Sequence, residues 1–125
     1  MAKRKVTNLT DVSEITCVIQ KGKADDIVQS LLDAGIQGAT VHSGVGTGIR
    51  ERMGLLGVAV EVEREIVQVL VSKDQVDRIF ERIYLAGRLD TPGMGYMYAA
   101  PLVQAATYIP AHLLEDKDSI SSMGM

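Results

Sequence analysis

The chain has 125 residues, 46% hydrophobic and 23% charged, enough for one domain with a modest core. Lys and Arg number 13 against 16 Asp and Glu, a formal charge of −3, so the broad basic field of a nucleic-acid binder is missing and no nucleic-acid partner is expected. The single cysteine, Cys17, excludes an internal disulfide, no apolar run approaches the roughly 20 residues that span a bilayer, and no apolar signal core follows the basic MAKRK; a cytoplasmic protein is expected.

Residues 1–12 are polar and are expected to form a flexible N-terminus. The β-branched run EITCVIQ, 14–20, predicts a strand. The period then changes: Ile27, Leu31 and Ala34 fall on one helical face with Val28 and Leu32 beside it, Asp25 and Asp26 favour the helix start, and Gly35 is placed to stop it. GATVHSGV, 38–45, predicts a second strand. After a glycine-rich loop, 57–71 predicts a long third strand, which alternates as far as Glu63. Its second half, IVQVLV, is apolar on both faces, and one helix layer covers only one of them. The other face is expected to be covered by a partner subunit, with Val69 among the residues buried there.

SKDQVDRIFERIYLAG, 72–87, predicts the second helix, with Ser72 and Gln75 spaced as a capping box and Val76, Ile79, Phe80 and Ile83 as its buried stripe. A turn-rich stretch, RLDTPGMG, leads to a fourth strand in YMYAAPL. The polar tail, 115–125, is expected to be disordered, leaving 13–114 as the folded domain. The order β-α-β-β-α-β predicts an α+β, ferredoxin-like fold: an antiparallel four-stranded sheet with two helices on one face.

CVIQKGKADDIVQSLLDAGIQGATVHSGVGTGIR resembles the first half of PII signal-transduction proteins, with the Gly35-Ile36-Gln37-Gly38 turn and a Gly46-Thr47-Gly48 pair at the base of the T-loop. KDQVDRIFERI resembles the second helix of that family, and GMGYMYAAPL its B-loop and fourth strand. The resemblance covers about residues 14–104. It implies a homotrimer, a regulatory rather than catalytic role in the manner of nitrogen regulation, an adenine nucleotide or related effector bound between subunits with no required cofactor, and a T-loop that engages a protein partner, often a membrane transporter.

The expected ligand-binding residues are Gly46, Thr47, Gly48, Ile49, Gly93, Met94, Gly95 and Tyr96, at the loops the resemblance marks, with Arg50 and Arg88 as basic groups near those loops. The partner-binding residues are Arg52, Met53, Leu55 and Leu56. The sequence departs from the family's pattern at Tyr96, where a phosphate-holding Lys is usual, and at Arg50, where a Gln is usual. It also lacks arginines after the fourth strand, and its T-loop is short and has no Tyr. These losses favour a mono- or diphosphate, a cyclic or an adenosyl ligand over a triphosphate.

Local sequence leaves the glycine pairs open between ligand approach and ordinary turn chemistry, and Met53-Gly54-Leu55-Leu56 open between a partner-binding arm and a cap over the sheet end. His42, His112 and Cys17 make no metal-ligand spacing. Glu61, Glu63 and Glu65 read as a solvated strand face. The alternatives are a CutA-like metal-responsive trimer, a small enzyme using the intersubunit cleft, and a ligand-free assembly module.

Overall fold

The computed structural model describes residues 6–47, 61–110 and 112. Gly48, Ile49, Arg50, Arg52, Met53, Leu55 and Leu56, the first residues of the expected third strand and the 115–125 tail lie outside them. In chain order the elements are β1 (Asn8–Leu9), β2 (Val12–Gln20), α1 (Ala24–Asp33), β3 (Thr40–Thr47), β4 (Glu61–Ser72), a short 3-10 turn (Lys73–Gln75), α2 (Val76–Ala86), β5 (Gly95–Pro101) and β6 (Ala105–Ala106). β3, β4, β2 and β5 form one antiparallel sheet in that spatial order, so each helix crosses over a strand lying between the two it connects. This is the ferredoxin-like α+β fold, with both helices on one face. Within the segment expected to be flexible, Asn8 and Leu9 pair with Ala106 and Ala105 in a separate two-stranded ladder, and Leu9 is buried.

Period-two alternation sorts the two central strands. Ile15, Cys17 and Ile19 of β2 and Val67, Val69 and Val71 of β4 point into the helix layer, where they meet Ala24, Ile27 and Leu31 of α1 and Ile79 and Ile83 of α2. Burial of each large aliphatic contributes about 1.5–3 kcal/mol. Val69 is therefore a core residue, 3% exposed, opposite Ile15, and its expected place on the partner-covered face is corrected. Ile66, Gln68 and Leu70, half-buried, lie on the open face instead. Apolar residues on both sides of β4 left its facing ambiguous in sequence. Cys17 lies in the core, and burial pushes its thiol pKa up to about 11, so it stays protonated at neutral pH.

Both helices end in the same hydrogen-bond motif. At α1, Gly35 takes a positive φ of 87°, its N–H donates to the Leu32 carbonyl, and Ile36 N–H donates to that of Leu31 (2.9 Å), with both Ile36 and Leu31 buried. This is a Schellman stop with its apolar contact. At α2 the equivalent bonds run from Arg88 N–H to Leu85 O (3.2 Å) and from Leu89 N–H to Tyr84 O (3.1 Å). Here Arg88, at φ 52°, holds the position glycine usually takes. The capping box expected at Ser72 is replaced. The Ser72 hydroxyl donates to Asp74 Oδ1 (2.7 Å), and the chain makes a 3-10 turn before α2 begins at Val76.

Candidate functional site

One end of the sheet gathers the polar chemistry. β2 leaves the sheet at Gln20, turns through Lys21, Gly22 (φ 89°) and Lys23, and enters α1. Gln20 binds the loop before β5 twice: its backbone N–H donates to Met94 O (3.0 Å) and its Nε2 to Gly93 O (3.1 Å). Arg64 Nη1, from β4, reaches the same Gly93 carbonyl at 3.4 Å. Lys21 Nζ lies 2.6 Å from Glu63 Oε2. Hydrogen bonding to Glu63 and then its charge raise the Lys21 pKa above its ordinary 10.5, and the same contacts lower Glu63 from 4.5. Both groups are well exposed, so water and salt screen the pair and it contributes little to folding. A small cavity of about 200 Å³ is lined by Lys21, Ser43, Gly44, Glu63 and Arg64.

The expected ligand residues fall into two groups. The backbone of Gly46 and Thr47 ends β3, paired with Val62 and Glu61. Gly93, Met94, Gly95 and Tyr96 lead into β5, at the opposite edge of the sheet. Gly95 is level with Ile19, Glu65 and Ser43. It therefore lies three strand spacings, about 14 Å, across from β3 and about 10 Å along from Gly46. One subunit does not bring the two glycine segments together.

Gly95 is dictated by packing. Its φ is 149°, and a Cβ there would lie 2.0 Å from the Val18 carbonyl oxygen. Gly93 also has a positive φ, 79°, but open space around it. Met94 packs against the core, and Tyr96 is 60% exposed on the open face, directly across from Val18.

Arg88 lies in the turn that leads to Gly93, with its carbonyl accepting from Thr91 N–H (2.9 Å), and its side chain is exposed. A left-handed conformation costs a non-glycine residue about 1–2 kcal/mol, and nothing in the packing here requires an arginine. Arg88→Gly is expected to raise stability by about 1 kcal/mol, read as a higher thermal midpoint. A fall in the midpoint would show that the side chain stabilises the turn.

At the other end of the sheet a cavity of about 520 Å³ opens beside β3. Glu14, Thr40, Gln68 and Leu70 line it, with Leu9 and the Ala105–Ala106 strand. Thr16 Oγ1 donates to Glu14 Oε1 (3.1 Å). No basic side chain lines this cavity among the described residues, and its hydrogen-bonding and apolar groups suit an uncharged ring system. Gln68 and Arg64 are four residues apart on one face of β4, about 13 Å. The cavity and Arg64 thus share one strand face.

Gln20, Lys21, Arg64, Thr40 and Gln68 were not singled out in the sequence. Period-two counting back from Gln68 does place Arg64 on its face, whereas the closeness of Lys21 and Glu63 depends on strand register. Glu65, expected to be solvated, is half-buried and accepts hydrogen bonds from the N–H groups of Gly22 and of Ala24 (3.3 Å). Among the described residues no three His, Cys, Asp or Glu side chains group as a metal site, and no helix is long and apolar enough to cross a membrane.

The family model for nitrogen regulatory protein P-II matches residues 12–109. The nitrogen regulatory protein P-II of Cereibacter sphaeroides is 29% identical over 99 residues, covering 75% of this chain and 88% of its own. A nitrogen fixation nifHD region GlnB-like protein 1 of Methanothermococcus thermolithotrophicus is 30% identical over 97 residues, 74% of this chain and 90% of its own. Among solved structures, Arabidopsis thaliana PII bound to citrate superposes with a TM-score of 0.60 at 22% identity, over 74% of this chain and 78% of that one, and shows the same fold. The chain belongs to the nitrogen regulatory P-II family and is a regulatory signalling protein rather than an enzyme.

Proposed function

We propose that the protein is a cytoplasmic homotrimer that binds a small effector between subunits and controls a protein partner through residues 48–60. The observation that carries this reading is the placement of the two glycine segments on opposite edges of the sheet. A neighbouring subunit can set its Gly93-to-Tyr96 loop against the Gly46–Thr47 edge, which a single subunit cannot do. The half-buried Ile66 and Val18, in a row with His42 and Tyr96 across the open face, are the apolar surface such packing would cover.

The effector we favour is an adenine nucleotide or adenosyl compound. Its ring would take the cavity at Thr40 and Gln68, and its anionic end would reach toward Arg64, about 13 Å along the same face of β4, with Gly46 and Thr47 bordering the cleft beyond it. Glu14, and the missing cation at Tyr96, favour fewer phosphates over more. The effector acts only if it binds two arrangements of the 48–60 segment unequally. Arg52, Met53, Leu55 and Leu56 would then meet the partner, for which a membrane transporter is the first candidate.

Isothermal titration with ATP, ADP, AMP, cyclic AMP and S-adenosylmethionine tests the reading. Citrate is added because the Arabidopsis relative was crystallised with it. One adenine-containing ligand is expected to bind, and Arg64→Ala and Gln68→Leu are each expected to weaken it about tenfold, the loss of one charge-assisted or buried hydrogen bond. Binding of citrate alone would replace the nucleotide assignment by a carboxylate one. Silence from all six would overturn the effector site.

A further inference from the structure

Three consecutive residues of β4, Glu63, Arg64 and Glu65, each bind a segment distant in sequence. Glu63 takes Lys21, Arg64 takes the Gly93 carbonyl, and Glu65 takes the N–H groups of Gly22 and Ala24. Of the three, Glu65 is the one that fixes the helix start to the strand. The first N–H groups of a helix have no partner within it. Lys23, the residue preceding α1, supplies no side-chain cap, and the carboxylate of Glu65 takes that role from another strand. Gly22 N–H also donates to Glu65, within the turn closed by the 3.2 Å bond from Lys23 N–H to Gln20 O. The turn is thereby pinned to β4 at its far end, while at its near end Gln20 holds Met94 and Gly93.

The Gly93 carbonyl is the meeting point. It accepts one donor from the end of β2, Gln20 Nε2, and one from β4, Arg64 Nη1. Gln20 and Arg64 face each other in the β2–β4 ladder, and Glu65, next to Arg64, ties the turn that follows Gln20 to the same strand.

We propose that Glu65 is a positioning residue that couples the start of β4, where the 48–60 segment rejoins the sheet, to the Gly93-to-Gly95 loop through the β2–α1 turn. A shift at the start of β4 is carried by Glu65 to Gly22, by the turn to Gln20, and by Gln20 to Gly93 and Met94. A shift at the loop returns by the same route. This requires a contiguous chain of contacts with more than one arrangement. Its consequence for effector and partner rests on the function proposed above, but the coupling itself is testable without any ligand.

The test is amide hydrogen exchange by NMR on the full-length protein, in Glu65→Ala and Glu65→Gln. Loss of the cap is expected to speed exchange roughly three- to tenfold at Gly22 and Ala24. Coupling predicts a rise of similar size at the Gln20 amide, whose acceptor is Met94 O, although that bond is untouched by the substitution. Glu65→Gln keeps an acceptor oxygen and is expected to restore protection at all three. If Glu65→Ala does not fold, Glu65→Asp, which withdraws the carboxylate by one methylene, is expected to give the same pattern. Faster exchange confined to Gly22 and Ala24 would reduce Glu65 to a local cap and overturn the proposal. A wild-type protein that binds no nucleotide, with the rise at Gln20 still present in Glu65→Ala, would retain the coupling and lose only the effector assignment.

Discussion

Val69→Glu is expected to abolish folding, while Ile66→Glu is expected to leave a folded subunit that no longer assembles. Val69 faces the helix layer in contact with the buried cluster built on Ile15, Ile27 and Ile79. A carboxylate there would have no cation within the core. It would either stay charged at a cost of several kcal/mol or fold only as the neutral acid. That cost is comparable to the whole stability of a domain, about 5–15 kcal/mol. Ile66, three positions away, lies on the open face between Val18 and His42. In an isolated subunit the carboxylate introduced by Ile66→Glu would meet water and cost less than about 1 kcal/mol. In an assembly that covers this face it would be buried without a partner. Circular dichroism and sedimentation velocity separate the cases: no cooperative melt for Val69→Glu, and a native spectrum at monomer mass for Ile66→Glu. A folded Val69→Glu would contradict the core assignment, and a trimeric Ile66→Glu would contradict the proposed interface.

Gly95→Ala is expected to be far more damaging than Gly93→Ala, although both glycines belong to one loop. The Cβ of residue 95 would stand 2.0 Å from Val18 O and 2.9 Å from the Ile19 Cα, both backbone atoms that cannot swing aside. β5 must then separate from β2 at its first pair, and the backbone must abandon a φ of 149°. A cost of about 2–4 kcal/mol follows, a drop in thermal midpoint on the order of 10 °C. At Gly93 a Cβ meets nothing within 4 Å, so only the positive φ is penalised, about 1 kcal/mol. Thermal melts of the two variants decide it. Equal midpoints would show that the close approach of Gly95 to Val18 is absent in solution. The result also bears on binding: a loss of ligand in a Gly95 variant reports a displaced strand, whereas Gln68→Leu probes the cavity without that backbone clash.

Signals that lie close together in the chain were legible. The β-branched run around Cys17, the stripe of Ile79 and Ile83, and Gly35 as a helix stop each act within a few residues, and each is found where the pattern places it. Arg88 shows the limit of that reading. Its turn has the same hydrogen bonds as the one at Gly35, but the glycine that signals the motif is replaced. Val69 shows another: with Ile66, Val67, Val69, Leu70 and Val71 all apolar, alternation carries no information, and only the pairing of Val69 with Ile15 decides the face. The Asn8–Leu9 ladder, the Lys21–Glu63 pair and the Glu65 cap join segments about 40 to 100 residues apart, so no local pattern announces them. For the candidate site, the glycine segments could be read as two walls, but the cavity at Thr40 and Gln68 is made by strand order and register.

A single titration tests the intersubunit effector site most directly: the wild-type protein and Val18→Glu, which charges the same open-face row from β2 rather than from the strand of Arg64 and Gln68 and is likewise expected to give a folded monomer, measured side by side with the adenine ligands. A site completed by a neighbour predicts binding to the wild-type trimer and none to the folded monomer. Equal affinity in both would place the site within one subunit and contradict it.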